Sequence, residues 1–289
     1  MATRNLVGLV FNSQIPRASE FVESLALSLR LGSASWTSSA LDVGEKLEEL
    51  ERTSLIVTVG GDGTILRTLR VTAPFEIPIV GVNMGRVGFM TEVRVEDAVK
   101  RLPEYLNGNL RVEERMMLEA SVRSGSSESP SITLHALNDV VVGQSGVARL
   151  LDVDTSVNGV PLATYRADAV IVSTATGSTG YALSAGGPIL FPEARMMLIQ
   201  PVAAHTGLRQ GLVLPEESSV ELRPGKGQKA ILSADGFQDA TLSEDDTVSV
   251  RRSSYVARFL RASPATSFYD SLTRRLAPVY RSRVTGEET

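Results

Sequence analysis

The chain runs from an apolar stretch into a glycine loop at Leu55-Ile-Val-Thr-Val-Gly-Gly-Asp-Gly-Thr64, and Ile65–Val71 follows directly. Leu55–Val59 has the pattern of a buried strand, and Ile65–Val71 is compatible with a helix. Glycines at the end of a strand let backbone N–H groups approach phosphate oxygens, and a helix N-terminus favours negative charge. The stretch therefore predicts an open α/β sheet with a ligand at the carboxyl ends of its strands.

The sequence on either side of this loop alternates in the same way. Leu6–Phe11 and Ile77–Val82 are compact apolar runs, and Ala18–Leu31 repeats apolar residues at helical spacing. Val43–Glu51 has the composition of a short, charged helix. Strands that alternate with helices indicate a parallel sheet covered by helices, so we expect an N-terminal α/β domain.

Beyond about residue 110 the pattern changes to short apolar or alternating runs separated by turn residues, which is typical of an all-β layer. These runs are Leu118–Arg123, Ser131–Val142, Leu150–Val157, Ala169–Thr174, Gly211–Leu214, Ser218–Arg223, Ala230–Ala234 and Thr247–Arg251. Asn158–Gly159 is a two-residue hairpin signal. Phe268–Leu276 has helical spacing, and we expect this helix to pack back on the first domain. The predicted domains are residues 1–112 joined by 262–289, and residues 113–261.

Composition excludes several classes of protein. The 289 residues include 29 Lys and Arg against 33 Asp and Glu, a formal charge of −4, which argues against a general nucleic-acid-binding protein. Cysteine is absent, which excludes disulfides, thiolate catalysis and cysteine metal sites. Leu6–Phe11 lacks the flanks of a signal peptide, and no apolar run reaches the roughly 20 residues that span a bilayer. We expect a soluble cytoplasmic protein with no membrane or nucleic-acid partner.

The glycine loop does not fit three familiar active-site motifs. Gly60–Thr64 contains no Lys, so it is not a P-loop, and Leu66 stands where a dinucleotide fingerprint needs glycine. A Gly-x-Ser-x-Gly nucleophile motif is also missing. Asp62 would repel a phosphate group unless it acts on a metal ion or on a hydroxyl nucleophile. The alternative is that Asp62 only caps the helix Ile65–Val71.

Two further stretches have the composition of a binding site. Ser173–Tyr181 follows an apolar run with small hydroxyl residues and glycines, and Tyr181 could stack on a base or ribose. The alternative for this stretch is a Ser/Thr-rich turn with a half-buried tyrosine. Asn138 and Asp139 lie inside the apolar run Ile132–Val142, where burying them costs free energy unless they are hydrogen-bonded. Ribose hydroxyls would satisfy the pair, and an internal turn or bulge is the alternative.

Taken together, these stretches resemble the NAD kinase family over essentially the whole chain, from about Leu6 to Leu276. The motifs that carry the resemblance are Gly60–Thr64, Gly81-Val-Asn-Met-Gly-Arg-Val-Gly-Phe89, Ala136-Leu-Asn-Asp139, Arg166-Ala-Asp168, and Ser173–Tyr181 with its continuation to Leu190. The first motif is shared with lipid kinases and bacterial phosphofructokinases. The Asn–Asp pair and the loop that ends at Tyr181 are specific to the family.

The resemblance implies phosphorylation of the adenosine ribose 2′-hydroxyl of NAD, with ATP as donor and Mg²⁺ or another divalent cation carried by the donor. By resemblance, Asp62 accepts or orients the hydroxyl proton, and the active site lies in the cleft between the domains. The implied residues of the phosphate loop and the NAD site are Gly60, Gly61, Gly63, Thr64, Asn138, Asp139, Asp168, Thr176, Thr179, Gly180, Tyr181, Ala182, Leu183 and Ser184. Arg149 and Arg166 are candidate partners of the pyrophosphate, whereas Asp235 and Phe89 are weaker candidates.

The chain departs from the family pattern at Ala169, Ala175, Gly180, Gln210–Gly211 and Phe237, and in the segment Ala204–Gly207. The residues leave open whether polyphosphate replaces ATP and whether NADH is accepted. They also leave open a lipid or other small-alcohol kinase, or a non-catalytic NAD-binding regulator. The resemblance suggests a homodimer or homotetramer. With no cysteine and only His135 and His205, we expect no tightly held transition metal.

Overall fold

A computed structural model describes residues 4–85, 88–108, 110–125, 129–146 and 150–276. The chain forms two compact units. The first comprises the described residues within Met1–Thr68, Ile77–Glu113 and Phe259–Thr289, and the second those within Leu69–Glu76 and Glu114–Arg258.

The strands of the first unit are β1 (Leu6–Phe11), β2 (Ser35–Ser39), β3 (Thr53–Gly60), β4 (Ile79–Asn83) and β5 (Val93–Arg94). Four of them form a parallel sheet in the order β2–β1–β3–β4, and β5 pairs with the end of β4. The central strands β1, β3 and β4 are apolar runs because a parallel sheet with helices on its faces buries both sides of each strand.

Helices accompany this sheet. They are α1 (Ala18–Ser28), α2 (Leu47–Glu51), α3 (Asp62–Thr72), α4 (Ala98–Leu106) and, at the end of the described chain, α6 (Ser267–Leu276). Val22 and Leu25 of α1 and Leu102 of α4 are buried with the strand residues Val57 and Val80 in one apolar cluster. Helix α3 begins in the first unit and ends in the second, because Leu69–Glu76 belongs to the second unit.

The second unit consists mainly of strands. They are, wholly or for most of their length, β6 (Arg111–Ser124), β7 (Ile132–Ala136), β8 (Asp139–Gln144), β9 (Leu151–Val157), β10 (Val160–Ala167), β11 (Ala169–Thr174), β12 (Met196–Val202), β13 (Leu212–Pro215), β14 (Val220–Pro224), β15 (Ala230–Ala234), β16 (Phe237–Leu242) and β17 (Asp246–Arg261). The short helix α5 covers Tyr181–Ser184. Six strands form a sheet in the order β13–β12–β11–β8–β15–β16.

The remaining strands of this unit pair in the order β10–β9–β14–β17, and β6 pairs with both β17 and β7. Alternate residues of both strand groups enter one apolar core. Val140 of β8 and Val170 of β11 meet Val153 of β9 and Val248 of β17 there. The opposite face of the six-stranded sheet buries Ala182 of α5 against Ile171 and its neighbours.

The predicted fold class, an α/β domain followed by a β-rich domain, is confirmed. The predicted strands Leu6–Phe11, Ala169–Thr174 and Ala230–Ala234 are observed with the same bounds. Asn158 and Gly159, with φ angles of 52° and 77°, form the predicted turn between β9 and β10. Helix α6 belongs to the first unit, where Phe268 contacts Phe89, as the expected return of this helix requires.

Several element assignments were wrong. The run Ser131–Val142 is two strands, because the chain leaves the β6–β7 ladder and enters the six-stranded sheet at Leu137–Asn138. Only Leu47–Glu51 of the expected helix Val43–Glu51 is α-helical, and α3 starts at Asp62 rather than Ile65. The strand predicted at Thr247–Arg251 extends over Asp246–Arg261. The polar β2, the helix α4 and the strand β12 were missed.

In the described part of the chain, no helix combines the length and the apolar character needed to cross a bilayer.

Candidate active site

In the glycine loop of the first unit, hydrogen bonds connect Gly61 with Thr64. Strand β3 ends at Gly60 and α3 starts at Asp62, so the loop is one residue long between the two elements. The Gly61 N–H donates to Thr64 Oγ1 at 3.3 Å, and the Thr64 N–H donates to the Gly61 carbonyl at 3.0 Å. A side chain on Gly60 would overlap the Thr64 hydroxyl, so this turn requires glycine.

The Asp62 carboxylate binds a segment that is distant in sequence. Its Oδ2 accepts the Phe89 N–H at 2.8 Å, and its Oδ1 accepts the Met90 N–H at 3.1 Å. Asp62 is itself the first residue of α3, so it does not occupy the position before the helix that the capping alternative needs. The Asp62 carboxylate is half-buried, and its two hydrogen bonds fix its orientation.

Phe89 lies between this carboxylate and the last helix. Its ring centroid is 6.4 Å from that of Phe268, and the Arg275 guanidinium lies 4.1 Å from it. The backbone of Phe89 therefore contacts Asp62 while its half-buried side chain packs against α6.

In the second unit, the carboxylate of Asp235 holds the chain where it changes sheet. Asp235 accepts the N–H groups of Leu137, Asn138 and Asp139 at 2.9, 2.6 and 3.2 Å. It occupies the first position of the turn between β15 and β16, with a φ of 53°, and Gly236 follows with a φ of 79°. The three hydrogen bonds to the Asp235 carboxylate fix the backbone of Leu137, Asn138 and Asp139. Asp235 therefore has a structural role in the site.

Arg70 also binds the hairpin formed by β15 and β16. Its Nη2 lies 2.5 Å from Asp239 Oδ1, and its Nη1 donates to the Ala234 carbonyl at 3.3 Å. The guanidinium also lies 4.8 Å from the centroid of the Phe237 ring. Phe237 is one of the departures from the family pattern, and here it packs against this guanidinium.

The loop after β11 uses its hydroxyl groups mainly to fold on itself. Thr174 Oγ1 donates to the Leu137 carbonyl at 2.6 Å and accepts the Gly177 N–H at 3.1 Å. Ser178 Oγ donates to the Ala175 carbonyl, and Thr179 Oγ1 donates to the Thr176 carbonyl. A side chain on Gly177 would overlap the Asn138 carbonyl, so this loop lies directly against the Asn–Asp segment.

Three polar side chains around this contact have no hydrogen-bond partner within the described ranges. Asn138 Oδ1 and Thr176 Oγ1 are fully buried and unpaired. The carboxylate of Asp139, which is 5% exposed, forms no hydrogen bond or ion pair with a described residue. Because buried polar groups are nearly always paired, this cluster is what a ligand-binding surface looks like without its ligand.

Burial raises the pKa of both carboxyl groups in this segment, those of Asp139 and Asp235. Burial, with the Asp235 carboxylate as a second cause, raises the pKa of Asp139 from 3.8 to about 7. Burial raises the pKa of Asp235 to about 6, although three backbone N–H groups and Arg70 oppose the increase. Partial burial, and then Asp168 and Asp139, raise the pKa of Tyr181, which places its hydroxyl within the influence of both carboxylates.

The other predicted site residues are distributed around this segment. Asp168 is half-buried between β10 and β11, and Tyr181 is 45% exposed at the start of α5. Arg166 is exposed, and its carbonyl accepts the His205 N–H at 2.8 Å. Ala182 is fully buried, with its side chain in the apolar cluster under α5. Arg149 lies outside the described residues.

Two family models match the chain. The description "ATP-NAD kinase N-terminal domain" matches residues 7–110, and "ATP-NAD kinase C-terminal domain" matches residues 137–262. The chain belongs to the NAD kinase family. The resemblance found in the motifs is thereby confirmed.

Curated NAD kinases resemble the chain over most of its length. The NAD kinase of Dehalococcoides mccartyi strain CBDB1 is 41% identical over 271 residues, which cover 93% of this chain and 95% of that protein. The NAD kinase of Magnetococcus marinus strain MC-1 is 35% identical over 285 residues, covering 94% and 93% of the two chains.

Solved NAD kinase structures share the fold. Yeast NADH kinase, in a complex with NADH, superimposes with a TM-score of 0.84 at 22% identity and covers 99% of this chain and 90% of its own. An NAD kinase from Archaeoglobus fulgidus, in a complex with ATP, has a TM-score of 0.73 at 29% identity, with coverage of 96% and 99%.

Two residues that contribute to the site of this NAD kinase family member could not be identified from the sequence. Arg70 carries no motif signal beyond a cation in the last turn of a helix. Met90 contributes a backbone N–H, which has no side-chain signature at all. Asp235 could be suspected from its Asp-Gly turn, but its three donors lie nearly one hundred residues earlier.

Proposed function

We propose that this protein phosphorylates the 2′-hydroxyl of the adenosine ribose of NAD to give NADP, with ATP as the donor. Membership of the NAD kinase family supports this reaction over that of a lipid or other small-alcohol kinase. The intact Asp62 supports an enzyme over a non-catalytic NAD-binding regulator.

The observation that carries the proposal is the cluster of unpaired polar groups at Asn138, Asp139 and Thr176. A buried donor or acceptor without a partner costs about 1–3 kcal/mol, and a ligand that pairs with these groups removes that cost. Vicinal ribose hydroxyls can both donate and accept, and they match a carboxylate beside an amide oxygen. Tyr181, exposed next to them, offers a face for a base ring.

The NAD site in this proposal includes the rest of the strand–loop region. Its members are Asn138, Asp139, Asp168, Thr176, Thr179, Gly180, Tyr181, Ala182, Leu183 and Ser184, with Arg149 and Arg166 as cationic neighbours of the pyrophosphate. Because Thr179 and Ser184 already donate to carbonyls within the loop, their remaining capacity is to accept hydrogen bonds.

The donor phosphates are assigned to the loop formed by Gly60, Gly61, Gly63 and Thr64, where the start of α3 favours negative charge. Asp62 takes or orients the proton of the attacking hydroxyl. Phosphoryl transfer depends on positioning and charge neutralisation, so no covalent nucleophile is required.

We assign Mg²⁺, or another divalent cation, to the donor phosphates, where it neutralises the charge that develops during transfer. Mg²⁺ commonly keeps several waters and takes one or two carboxylates together with substrate phosphates. The donor set of the loop suits this role, because Asp62 contributes a single carboxylate whose two oxygens each keep a free lone pair.

The remaining expectations rest on resemblance and composition. The domains of the proposal are residues 1–112 with 262–289, and residues 113–261. The absence of cysteine is consistent with a reducing cytoplasm. The NAD kinase resemblance supports a homodimer or homotetramer, which sedimentation of the purified protein tests.

The purified protein is incubated with NAD, ATP and Mg²⁺, and NADP formation is measured. We expect stoichiometric NADP and ADP. Parallel reactions replace ATP with polyphosphate and NAD with NADH to define the donor and the acceptor. Failure to form any phosphorylated dinucleotide in all combinations would refute the proposed function.

A further inference from the structure

The backbone of Gly88–Met90 lies directly against the Asp62 carboxylate. Phe89 and Met90 each donate one N–H to it, at 2.8 and 3.1 Å. Gly88 completes the contact by having no side chain, because a Cβ at this position would overlap the carboxylate. Gly88 is buried, and the three atoms nearest to the position of a Cβ on Gly88 all belong to the Asp62 carboxylate, which accounts for glycine here.

This segment is itself fixed by a threonine. Thr91 Oγ1 accepts the Gly88 N–H at 3.1 Å and the Asn83 side-chain amide at 3.2 Å. Thr91 is buried, and Asn83 is the last residue of β4. The segment is therefore attached to the end of the strand next to β3, and β3 is the strand that leads into Asp62.

A buried arginine holds the other end of the segment. Arg261 Nη1 donates to the Met90 carbonyl at 2.9 Å. The same guanidinium donates to Glu113 Oε1 at 3.1 Å and to Glu92 Oε2 at 3.2 Å. The side chains of Arg261, Glu92 and Glu113 are 7%, 5% and 9% exposed, so the guanidinium has a single well-defined position.

The pair of acidic partners is fixed as well. Glu92 Oε1 accepts the N–H groups of Ala262 and Ser263 at 2.8 and 2.9 Å. Buried ion pairs contribute little net stability, and their better-attested use is to specify one arrangement. Here the arrangement that they specify is the position of the Met90 peptide.

We propose that Gly88–Met90, fixed by Thr91 and Arg261, is the element that positions the Asp62 carboxylate for proton transfer. The inference rests on the proposed role of Asp62. Two N–H donors set the rotation of the carboxylate and leave one lone pair on each oxygen to receive a proton. Gly88, Thr91 and Arg261 are thus positioning residues that affect turnover through Asp62.

The sharpest test compares Gly88→Ala with Gly85→Ala. The added methyl group of Gly88→Ala displaces the carboxylate, whereas Gly85 has no atom within 4 Å of the corresponding position. A displacement of about 1 Å can cost on the order of 100-fold in rate, so we expect kcat of Gly88→Ala to fall by about 10-fold to 100-fold. Gly85→Ala should retain wild-type kcat, and the NAD affinity of both variants, measured by titration calorimetry, should be unchanged.

A double-mutant cycle shows whether the loss acts through Asp62. In an Asp62→Ala background the methyl group of Gly88→Ala has room, so it should change neither the residual rate nor the melting temperature. An equal loss in that background, or equal turnover of Gly88→Ala and Gly85→Ala, overturns the inference. A wild-type protein that forms no NADP refutes the proposed function instead.

Thr91 provides a second test that does not depend on folding of the glycine variant. Thr91→Val keeps the shape of the side chain but removes the acceptor, and Thr91→Ser keeps the acceptor. We expect kcat to fall for Thr91→Val and to be retained by Thr91→Ser, with unchanged NAD affinity in both. Equal kcat in the two variants contradicts the inference.

Discussion

At the scale of single residues, Asp62 combines an accessible carboxylate with two backbone donors, at 2.8 and 3.1 Å. Asp62→Asn keeps the size of the side chain but removes the base, and its amide group cannot accept both N–H bonds. General-base assistance is worth about 10²–10⁴-fold, so we expect kcat to fall by at least about 100-fold while NAD affinity changes little. NADP formation, calorimetry and melting temperature are measured on this one variant. Turnover close to that of the wild type would end the catalytic role of Asp62.

Asp139 and Tyr181 are assigned to binding rather than to turnover. Asp139→Ala removes the carboxylate that we propose as the partner of a ribose hydroxyl, and Tyr181→Ala removes the aromatic ring of a residue that is 45% exposed. Each should weaken NAD binding by about 1 kcal/mol or more, as measured by titration calorimetry. Tyr269→Ala removes another exposed tyrosine and serves as the control. Unchanged affinity in both site variants would return Asn138–Asp139 and Tyr181 to purely structural roles.

The buried Asp139 also predicts a pH dependence of stability. The pKa of Asp139 is about 7 in the folded state, whereas the ordinary value is 3.8. Between pH 3.8 and pH 7 the folded state therefore binds more protons than the unfolded state. Stability contributed by this group is present at low pH and is lost as pH rises through the window that ends near 7. Asp139→Asn should flatten this part of the curve of melting temperature against pH. Parallel curves for the wild type and the variant would contradict the assignment.

At the scale of elements, the β15–β16 hairpin connects Arg70 to the Asn–Asp segment. Arg70 pairs with Asp239, whose side chain is 8% exposed, and the turn of the hairpin carries Asp235. Arg70→Met leaves Asp239 without its cation, so we expect a lower melting temperature and, because Asp235 shifts, weaker NAD binding. Arg258→Met removes the ion pairs to Glu76 and Glu114 in the same unit and should lower stability alone. Equal NAD affinity in the two variants would argue against a positioning role of the hairpin.

At the scale of the whole molecule, metal dependence should affect turnover but not folding. Within the described residues no group of three His, Asp or Glu side chains could hold a metal ion. We therefore expect EDTA to abolish NADP formation and added Mg²⁺ to restore it, with no change in the melting temperature of the protein. Full turnover in metal-free buffer, or a large loss of thermal stability in EDTA, would contradict the assignment of the cation to the donor.

The division into an α/β part and a β-rich part was predictable because the spacing of apolar residues within each segment indicates its secondary structure. β1 and β3 are continuous apolar runs because both faces of each strand are buried. The short runs after residue 110 alternate because one face of each strand is buried. An internal turn at the Asn–Asp pair was one of the alternatives that the sequence offered, and the chain does break at Leu137–Asn138. The change of sheet at this break was not predictable, since the residues of a strand do not specify which strands it pairs with. The polar strand β2 was missed because its sequence, Ser35–Ser39, is largely hydroxyl residues.

The amino-acid sequence alone determined the family, the glycine loop at Gly60–Thr64 and the Asn158–Gly159 turn. The loop and the turn each depend on residue types within a few positions of one another, and the family depends on several such local motifs in sequence order. Only the tertiary structure decided the partners of Asp62, which lie 27 and 28 residues away, and the link between Asp235 and Asn138, which spans 97 residues. Backbone N–H groups carry no sequence signature, and their meeting with a distant carboxylate is set by how strands and turns pack.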